Sequence, residues 1–431
     1  MILFKFFKKI LVKFKIKFFK IPNPYYHEYL VDINFHIKKI NFDNFLIFLR
    51  KNNFHLHKDQ KVKFSEIFLN CRDNYLQGND YDLNIYKSEL SSNKLTFNWQ
   101  EHYLLSRLFF FLGLTFISFY HRKKYEEYFI NKEFKYLNTY EKIIYFKVVF
   151  ENCEYFKNDL NKKKFIENSL IKKLFKSEHK SINLIYKLLN KQEIVNEQNS
   201  EFKKLIVNKS VAVIGPADNK DFNKKELENF DLIVQPSIFD EDNILDKTKT
   251  ITFYSKFNTR KFLAMHDHGK TEFSKSLKFI CCKGETTKIQ KYYNNIRTFD
   301  SKVHLCSGRE QIMQHAINDL ILHSPKKIKL FSIDFYLNQK NYEPTYSGNK
   351  LRNLSLINLS RENQISMSIH DTLSQINHIK TYVKLKYIEV DEFISNIISK
   401  EEENIHQMVF NKYKNMYKAD DYIRKKPKIS F

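Results

Sequence analysis

Glycine and proline are scarce in this chain: each occurs 7 times among 431 residues. No proline lies between Pro24 and Pro216, and only Gly78 and Gly113 precede Gly215. Because both residue types interrupt or end helices, their absence from so long a stretch predicts a largely helical first half. The few that remain, such as Gly215 and Pro216, mark positions where the chain is expected to turn or to meet a ligand.

The sequence also has little that would hold a metal ion. Its 5 cysteines form no Cys-x-x-Cys pair, which disfavours a zinc site or a disulfide framework and fits a reducing cytoplasm. His266-Asp267-His268 offers two imidazoles without an evident third ligand, and Asp240-Glu241-Asp242 lies in a plain acidic loop. The sequence therefore predicts no metal site and no resident cofactor.

Acidic residues are too few to balance the basic ones. The chain has 73 Lys and Arg against 49 Asp and Glu, which gives a formal net charge of +24. Such an excess indicates a polyanionic neighbour: a membrane surface, nucleic acid, or a phosphorylated glycolipid or nucleotide-sugar. None of the usual nucleic-acid-binding motifs accompanies the charge, so we expect no nucleic acid partner.

No apolar run in the sequence is long enough to cross a bilayer. The most apolar stretch, 108–120, is expected to form a buried core helix. Residues 1–25 are a separate basic segment in which Lys alternates with Phe, Ile, Leu and Val. As a helix this segment is suited to the membrane interface, and a basic helix packed on the fold is the alternative. We therefore expect a cytoplasmic protein held peripherally at the inner membrane.

The hydrophobic pattern changes near residue 206. Residues 26–205 carry helical periodicity and predict a mostly α-helical domain. Residues 206–400 alternate short buried strands with helical segments, which predicts an α/β domain with a Rossmann-like parallel sheet. The charged tail, 401–431, is expected to be helical. The strands are predicted at 211–214, 230–234, 250–254, 277–282, 328–331 and 388–390.

Chemically useful side chains follow the ends of the predicted strands. Gly215, after the first strand, would let a ligand approach the backbone closely. Ser307-Gly308 opens a predicted helix whose free N–H groups suit a phosphate or a carboxylate, unless Ser307 is an ordinary cap. Tyr336 and Tyr342 could donate hydrogen bonds to a leaving phosphate. Among the 15 histidines, His370 is the best candidate for a general base, because imidazole titrates near neutrality.

The order of these motifs resembles the bacterial lipooligosaccharide sialyltransferases of glycosyltransferase family 42. The resemblance covers about residues 208–395. The motifs that carry it are Ile214-Gly215-Pro216-Ala217, Ser307-Gly308, Ile333-Asp334-Phe335-Tyr336 with Tyr342, and His370 before the last strand. The chain departs from the family pattern at Ile214, Ala217 and Ser332, and Gln235-Pro236-Ser237 stands where an Asn is expected.

The resemblance implies a Rossmann-like transferase domain of the GT-A-like kind that acts without a metal on a CMP-activated acidic sugar. It implies an inverting displacement, in which His370 removes a proton from an acceptor hydroxyl while Tyr336 and Tyr342 bind the departing phosphate. The acceptor would be a surface glycan or glycolipid, such as lipooligosaccharide or capsule. The residues expected to line the donor site are Gly215, Pro216, Ala217, Gln235, Ser237, Ser255, Ser307, Gly308 and Asp334.

The departures leave the donor sugar open among sialic acid, Kdo and other nonulosonates. Two other functions stay open as well. One is a degenerate, non-catalytic scaffold that binds a glycan or another polyanion. The other is a different Rossmann-type transferase such as a methyltransferase, which is disfavoured because the first strand lacks the Gly-rich turn that such a cofactor normally needs.

Overall fold

The computed structural model describes residues 42–51, 54–76, 82–152, 160–190, 192, 200–217, 219, 222–269, 271–283, 293, 295–299, 303, 311–335, 337 and 370–411. These residues form two compact units. The helical unit contains the described residues up to Tyr145 and from His406 on, and the sheet unit contains those from Phe146 to Ile405. The boundary between the units therefore falls earlier than the change of pattern at residue 206.

The helical unit consists of helices joined by short connections. They are α1 (Phe42–Lys51), α2 (Lys58–Leu76), α3 (Leu83–Ser92), α4 (Trp99–Leu112), α5 (Thr115–Asn131), a 3-10 turn at Phe134–Tyr136 and the beginning of α6 (Thr139–Glu151). The prediction of a mostly helical N-terminal region is confirmed. None of the helices in the described ranges is long and apolar enough to span a membrane.

The apolar stretch 108–120 is not one helix, so that prediction was wrong. Helix α4 begins with a capping box, in which the side chains of Asn98 and Glu101 each accept a hydrogen bond from the other's backbone N–H. Gly113 ends the helix with φ of +85°, a left-handed conformation that side chains disfavour. The stretch therefore folds into the end of α4 and the start of α5, which pack against each other.

Aromatic rings fill the core of the helical unit. The rings of Phe45 and Phe68 stack with their centroids 3.8 Å apart, and those of Phe68 and Phe109 lie at 5.7 Å. All three side chains are fully buried. Aromatic pairs of this kind contribute about 0.5–1.5 kcal/mol beyond their buried area. The phenylalanines of this half therefore stabilise its tertiary structure.

The sheet unit contains a seven-stranded parallel sheet in the order β5-β4-β3-β2-β1-β6-β7. Its strands are β1 (Ser210–Ile214), β2 (Leu232–Pro236), β3 (Thr250–Tyr254), β4 (Phe279–Cys282), β5 (Ile296–Thr298), β6 (Lys327–Phe331) and β7 (Glu389–Val390). From β1 to β5 the strands are added in one direction. The chain then returns to the other side of β1 for β6 and β7. The predicted α/β fold with a Rossmann-like parallel sheet is confirmed.

Helices accompany this sheet along the chain. They are α7 (Leu160–Glu167), α8 (Ser169–Leu174), α9 (Lys176–Leu189), α10 (Ser200–Ile206), α11 (Lys256–Asp267), α12 (Ile312–Ile321), α13 (Thr372–Lys384) and α14 (Glu392–Ile398). Shorter 3-10 turns lie at Lys224–Asn229, Glu241–Asn243 and Glu272–Ser276, and residues 402–411 are helical.

Residues that precede β1 in the sequence contact the sheet and the helices beside it, which explains why the sheet unit begins as early as Phe146. The Thr381 hydroxyl donates a hydrogen bond of 2.6 Å to the backbone oxygen of Phe150. The ring of Phe202, on α10, packs 5.1 Å from that of Phe279 in β4. Segments that precede β1 in the sequence therefore share a core with the sheet, which helical periodicity alone does not reveal.

Strand β5 was not predicted from the sequence. It is 3 residues long, and its central residue is Arg297. The Arg297 side chain is buried, forms an ion pair with Asp319 of α12, and lies 3.6 Å from the centroid of the Phe202 ring. A charged residue at the centre of so short a strand hides the apolar pattern by which strands are recognised.

Candidate functional site

The sheet changes its direction of growth between β1 and β6. These two strands are paired in register up to their last residues, Ile214 and Phe331. The chain leaves β1 towards β2 on one side, whereas it leaves β6 towards β7 on the other. In open parallel sheets, such a reversal opens a crevice at the carboxyl ends of the strands, where ligands bind.

Two backbones cross closely at this reversal. The N–H of Gly215 donates a hydrogen bond of 2.7 Å to the Phe331 oxygen, and that of Ala217 donates one of 3.1 Å to the Ser332 oxygen. A Cβ atom on Gly215 would overlap the Ser332 backbone oxygen and lie 2.6 Å from Cγ1 of Ile333. Glycine is therefore required here because the turn after β6 crosses it, and not only to admit a ligand.

The same hydrogen bonds limit what the Gly215-Pro216-Ala217 turn can bind. Gly215 and Ala217 already use their N–H groups, and Pro216 has none. None of the backbone donors in this described turn is therefore free to bind a phosphate, in contrast to a phosphate-binding loop. An anion beside β1 would therefore need donors from outside these three residues.

A pocket lies at this crevice and is enclosed by the ends of β1, β2 and β6. Its lining residues are Ile214, Gly215, Pro216, Ala217, Asn219, Phe222, Lys224, Gln235, Pro236, Ser237, Ile238, Asn243, Leu245 and Ser332. The walls combine apolar side chains with amides, hydroxyls and one lysine. Such a lining suits a small polar ligand with a ring or another apolar face.

Ser332 is a strained residue of the pocket wall. Its φ is +55°, a left-handed conformation that L side chains rarely adopt, and the residue is only 2% exposed. Its Oγ atom has no hydrogen-bond partner among the described residues. Strain and an unsatisfied polar atom in one buried residue are typical of functional sites, and both here lie at the pocket.

Asp391 stabilises the backbone of Ser332. The carboxylate of Asp391 accepts a hydrogen bond of 2.9 Å from the Ser332 N–H and one of 2.8 Å from the Ile394 N–H, which caps α14. Burial raises the pKa of this carboxyl group, while the two backbone hydrogen bonds oppose the increase. The last helix of the sheet is thus tied directly to the pocket wall, a role that the sequence did not indicate.

Side chains at the end of β2 shape the next wall. The Gln235 amide donates to the Asn243 oxygen at 3.1 Å and accepts from the Leu245 N–H at 2.9 Å. Gln235 therefore holds the loop that carries Asn243 and Leu245 against the pocket. Ser237, with φ of +60°, accepts a hydrogen bond of 2.6 Å from the Asn258 amide.

His370 lies on the same edge of the sheet. It directly precedes Asp371, whose side chain caps α13 by accepting a hydrogen bond of 2.8 Å from the Ser374 N–H. The Thr372 hydroxyl donates a hydrogen bond of 3.2 Å to the Phe335 oxygen. The start of α13 is thereby attached to the turn that follows β6. His370 is half-buried there, and its backbone oxygen accepts a hydrogen bond from the Gln375 amide.

No protein-family model, curated protein or solved structure matches the chain. The family resemblance therefore depends on the sequence motifs alone.

The structure brings together part of the predicted donor site. Five predicted residues line the pocket: Gly215, Pro216, Ala217, Gln235 and Ser237. Ser255, Asp334 and His370 do not line it: Ser255 caps α11 through a hydrogen bond from the Asn258 N–H at 3.2 Å, and the Asp334 oxygen accepts one from the Leu337 N–H at 2.8 Å. The other predicted residues, Tyr336, Tyr342, Ser307 and Gly308, lie outside the described residues.

Sequence reasoning missed several residues of the site. Asn219, Lys224 and Asn243 line the pocket from connecting segments that carry no recognisable motif. Ser332 was noticed only as a departure from the family pattern, and its place in a left-handed turn explains why a glycine would be favoured there. Within the described ranges, no group of three or more His, Cys, Asp or Glu side chains is placed to hold a metal ion.

Proposed function

We propose that the chain is a glycosyltransferase that moves an acidic sugar from a CMP-sugar donor to a surface glycan. The donor sugar is sialic acid, Kdo or a related nonulosonate, and the acceptor is a lipooligosaccharide or capsule glycan. The sheet unit is the transferase domain, of the GT-A-like kind. The protein acts in the cytoplasm, peripherally at the inner membrane.

The pocket at the reversal between β1 and β6 is the observation that carries this proposal. Ligands of Rossmann-like enzymes bind at that point of the sheet. The residues of the family motif at Gly215-Pro216-Ala217 form one wall, and the turn after β6 forms another. The Thr372–Phe335 hydrogen bond attaches the start of α13, two residues after His370, to that same turn.

The proposed reaction is an inverting displacement at the anomeric carbon of the sugar. His370 takes the proton of an acceptor hydroxyl, whose oxygen forms the new bond to the anomeric carbon. The bond from that carbon to the phosphate oxygen breaks, and CMP leaves with the bonding electrons. Tyr336 and Tyr342 donate hydrogen bonds to the phosphate as negative charge develops on it. Since the N–H groups of Gly215 and Ala217 are used, the donors to the phosphate have to come from outside this turn, as these two hydroxyls would.

The chemistry of β2 disfavours a nucleoside cofactor bound as in dehydrogenases. Such cofactors rely on an acidic residue near the end of the second strand to bind the ribose hydroxyls. Gln235, Pro236 and Ser237 stand at this end, and the Gln235 amide is already bonded to the backbone on both sides. A methyltransferase or dehydrogenase therefore has less support than a nucleotide-sugar enzyme.

Thermal unfolding with nucleotides tests the proposal. A ligand at 100 times its dissociation constant stabilises the folded state by about 2.7 kcal/mol. CMP should raise the melting temperature, and UDP and S-adenosylmethionine at the same concentration should not. Stabilisation by S-adenosylmethionine alone would favour the methyltransferase. If CMP stabilises the protein but CMP-sialic acid and CMP-Kdo are not consumed with any glycolipid acceptor, the degenerate scaffold would replace the enzyme.

A further inference from the structure

Three leucines of the sheet unit are turned towards solvent. Leu160, Leu170 and Leu174 have relative exposures of 64%, 58% and 40%. Among the described residues, they make up half of the large hydrophobic side chains that are exposed; the others are Ile47, Ile85 and Tyr136. The three leucines lie on the adjacent helices α7 and α8, so their exposure is concentrated in one short part of the chain.

These helices already have another face for the core. Phe165 and Ile166 of α7 and Ile171 of α8 are buried. Leu170 and Leu174 are four residues apart and therefore lie on one side of α8. The exposed leucines are thus an apolar surface in addition to the side chains with which these helices contact the core.

Exposed lysines lie close to these leucines in the sequence. Lys163, Lys164, Lys172 and Lys173 are all exposed, and Glu167 is the one acidic residue between 160 and 174. Glu167 forms an ion pair with Lys163, with a nitrogen-to-oxygen distance of 4.0 Å. We call Leu160, Lys163, Lys164, Leu170, Lys172, Lys173 and Leu174 the Leu/Lys surface.

We propose that the Leu/Lys surface docks on a bilayer that contains anionic lipids. Exposed leucines beside lysines match the two layers of such a surface, since apolar side chains enter the boundary of the acyl chains and ammonium groups meet the lipid phosphates. A polyanion without an apolar layer, such as nucleic acid, would leave the leucines without a partner. The surface extends the proposed membrane location from residues 1–25 to a folded part of the chain.

A tryptophan placed on the surface tests this contact at the site itself. In the full-length chain with Leu170→Trp, the fluorescence of the new tryptophan should be quenched by vesicles of anionic phosphatidylglycerol with brominated acyl chains. Trp99 is the only native tryptophan and is buried, so the parent chain measures its constant background. Ile85→Trp is the matched control, because Ile85 is 52% exposed on α3, a helix that contains a single lysine, Lys87. The proposal would be overturned if the Leu170→Trp variant shows no quenching. It would also be overturned if the Ile85→Trp control is quenched to the same extent.

Two further variants separate lipid docking from simple charge attraction. Replacing Lys163, Lys164, Lys172 and Lys173 by Gln should weaken binding to anionic vesicles more than tenfold, because each lysine near such a surface contributes roughly fivefold. Leu170→Ser with Leu174→Ser should weaken it as well, with circular dichroism unchanged. If the leucine variant binds as tightly as the parent while the lysine variant fails, the surface is a general polyanion site and the lipid proposal is wrong. Because no readout involves sugar transfer, failure here leaves the transferase proposal intact.

Discussion

The carboxylate of Asp391 accepts a hydrogen bond of 2.9 Å from the backbone N–H of Ser332, across 59 positions of sequence. This bond connects the N-terminal cap of α14 to the turn after β6. It helps to hold Ser332 at φ of +55°, where its oxygen meets the Ala217 N–H and its unpartnered hydroxyl lies at the pocket. The wall of the candidate site is thus maintained by a residue that does not line it.

Replacing Ser332 by Gly should stabilise the sheet unit. Glycine adopts left-handed φ without the steric cost of about 1–2 kcal/mol that side chains incur. The buried and unpartnered hydroxyl would be removed at the same time. We expect the free energy of unfolding to rise by about 1 kcal/mol in urea titrations.

Asp391→Ala is the complementary change. It leaves the N–H groups of Ser332 and Ile394 without their acceptor and should cost about 1–3 kcal/mol, whereas Asp391→Asn keeps one acceptor and should cost less. Destabilisation of the protein by Ser332→Gly would instead show that the Ser332 side chain stabilises this turn.

Gly215→Ala should disturb both the fold and the pocket. The added Cβ meets the Ser332 backbone, which cannot move aside like a flexible side chain, so a loss of about 1–3 kcal/mol is expected. Gly269→Ala is the control: its φ is +67° but a Cβ there meets nothing within 4 Å. Both variants should lower the melting temperature, and only Gly215→Ala should also reduce the stabilisation by CMP. If CMP raises the melting temperature of both variants equally, the backbone crossing at Gly215 is not part of the CMP site.

His370→Ala should reduce sugar transfer by roughly 10²–10⁴, the usual contribution of a general base. CMP should still raise the melting temperature, because the proposed base faces the acceptor and not the nucleotide. His268→Ala, at an exposed position after α11, is the control and should keep full activity. Unchanged transfer by His370→Ala would refute the assignment of the base.

Tyr336→Phe and Tyr342→Phe should each lower turnover with little change in donor affinity.

Acid should destabilise the helical unit through buried His121 and its half-buried neighbour His102. The Nδ1 atoms of His102 and His121 lie 2.7 Å apart, and Nε2 of His121 is 2.7 Å from the Tyr86 hydroxyl. Burial, assisted by Lys124, lowers the pKa of His102 to about 4, and burial with the neighbouring His102 lowers that of His121 well below its usual value. Because both pKa values are depressed in the folded state, their stabilising contribution is complete above pH 6.5 and is lost as the pH falls towards 4.

The slope of this pH dependence can be measured with Trp99 fluorescence, since this single tryptophan belongs to the helical unit. Below pH 6 the free energy of unfolding should fall by roughly 1.4 kcal/mol per pH unit for each such histidine. His102→Gln should make the slope shallower, whereas His57→Gln, at an exposed position, should not. A slope unaffected by His102→Gln would assign the acid sensitivity to other groups.

The sequence was sufficient for the class of the fold and for most strands. Parallel strands are buried on both faces, so β1 appears as a continuous apolar run with turn residues behind it. The pocket residues Gly215, Pro216 and Ala217 were also foreseen, because a glycine and a proline stand out in a chain with so few. Their role in binding a nucleotide stays a prediction.

Only the tertiary structure decided how these parts are used. No local pattern states on which side of β1 the strand β6 is added, because that depends on helices and strands far apart in the chain. Gln235 has the chemistry of a ligand-binding residue, yet its amide is used by the backbone at Asn243 and Leu245. Ser332 has a left-handed backbone although serine does not favour one, since distant partners at Ala217 and Asp391 satisfy its oxygen and its N–H. Interactions between residues so distant in sequence outweigh local preference, and for that reason local preference could not predict them.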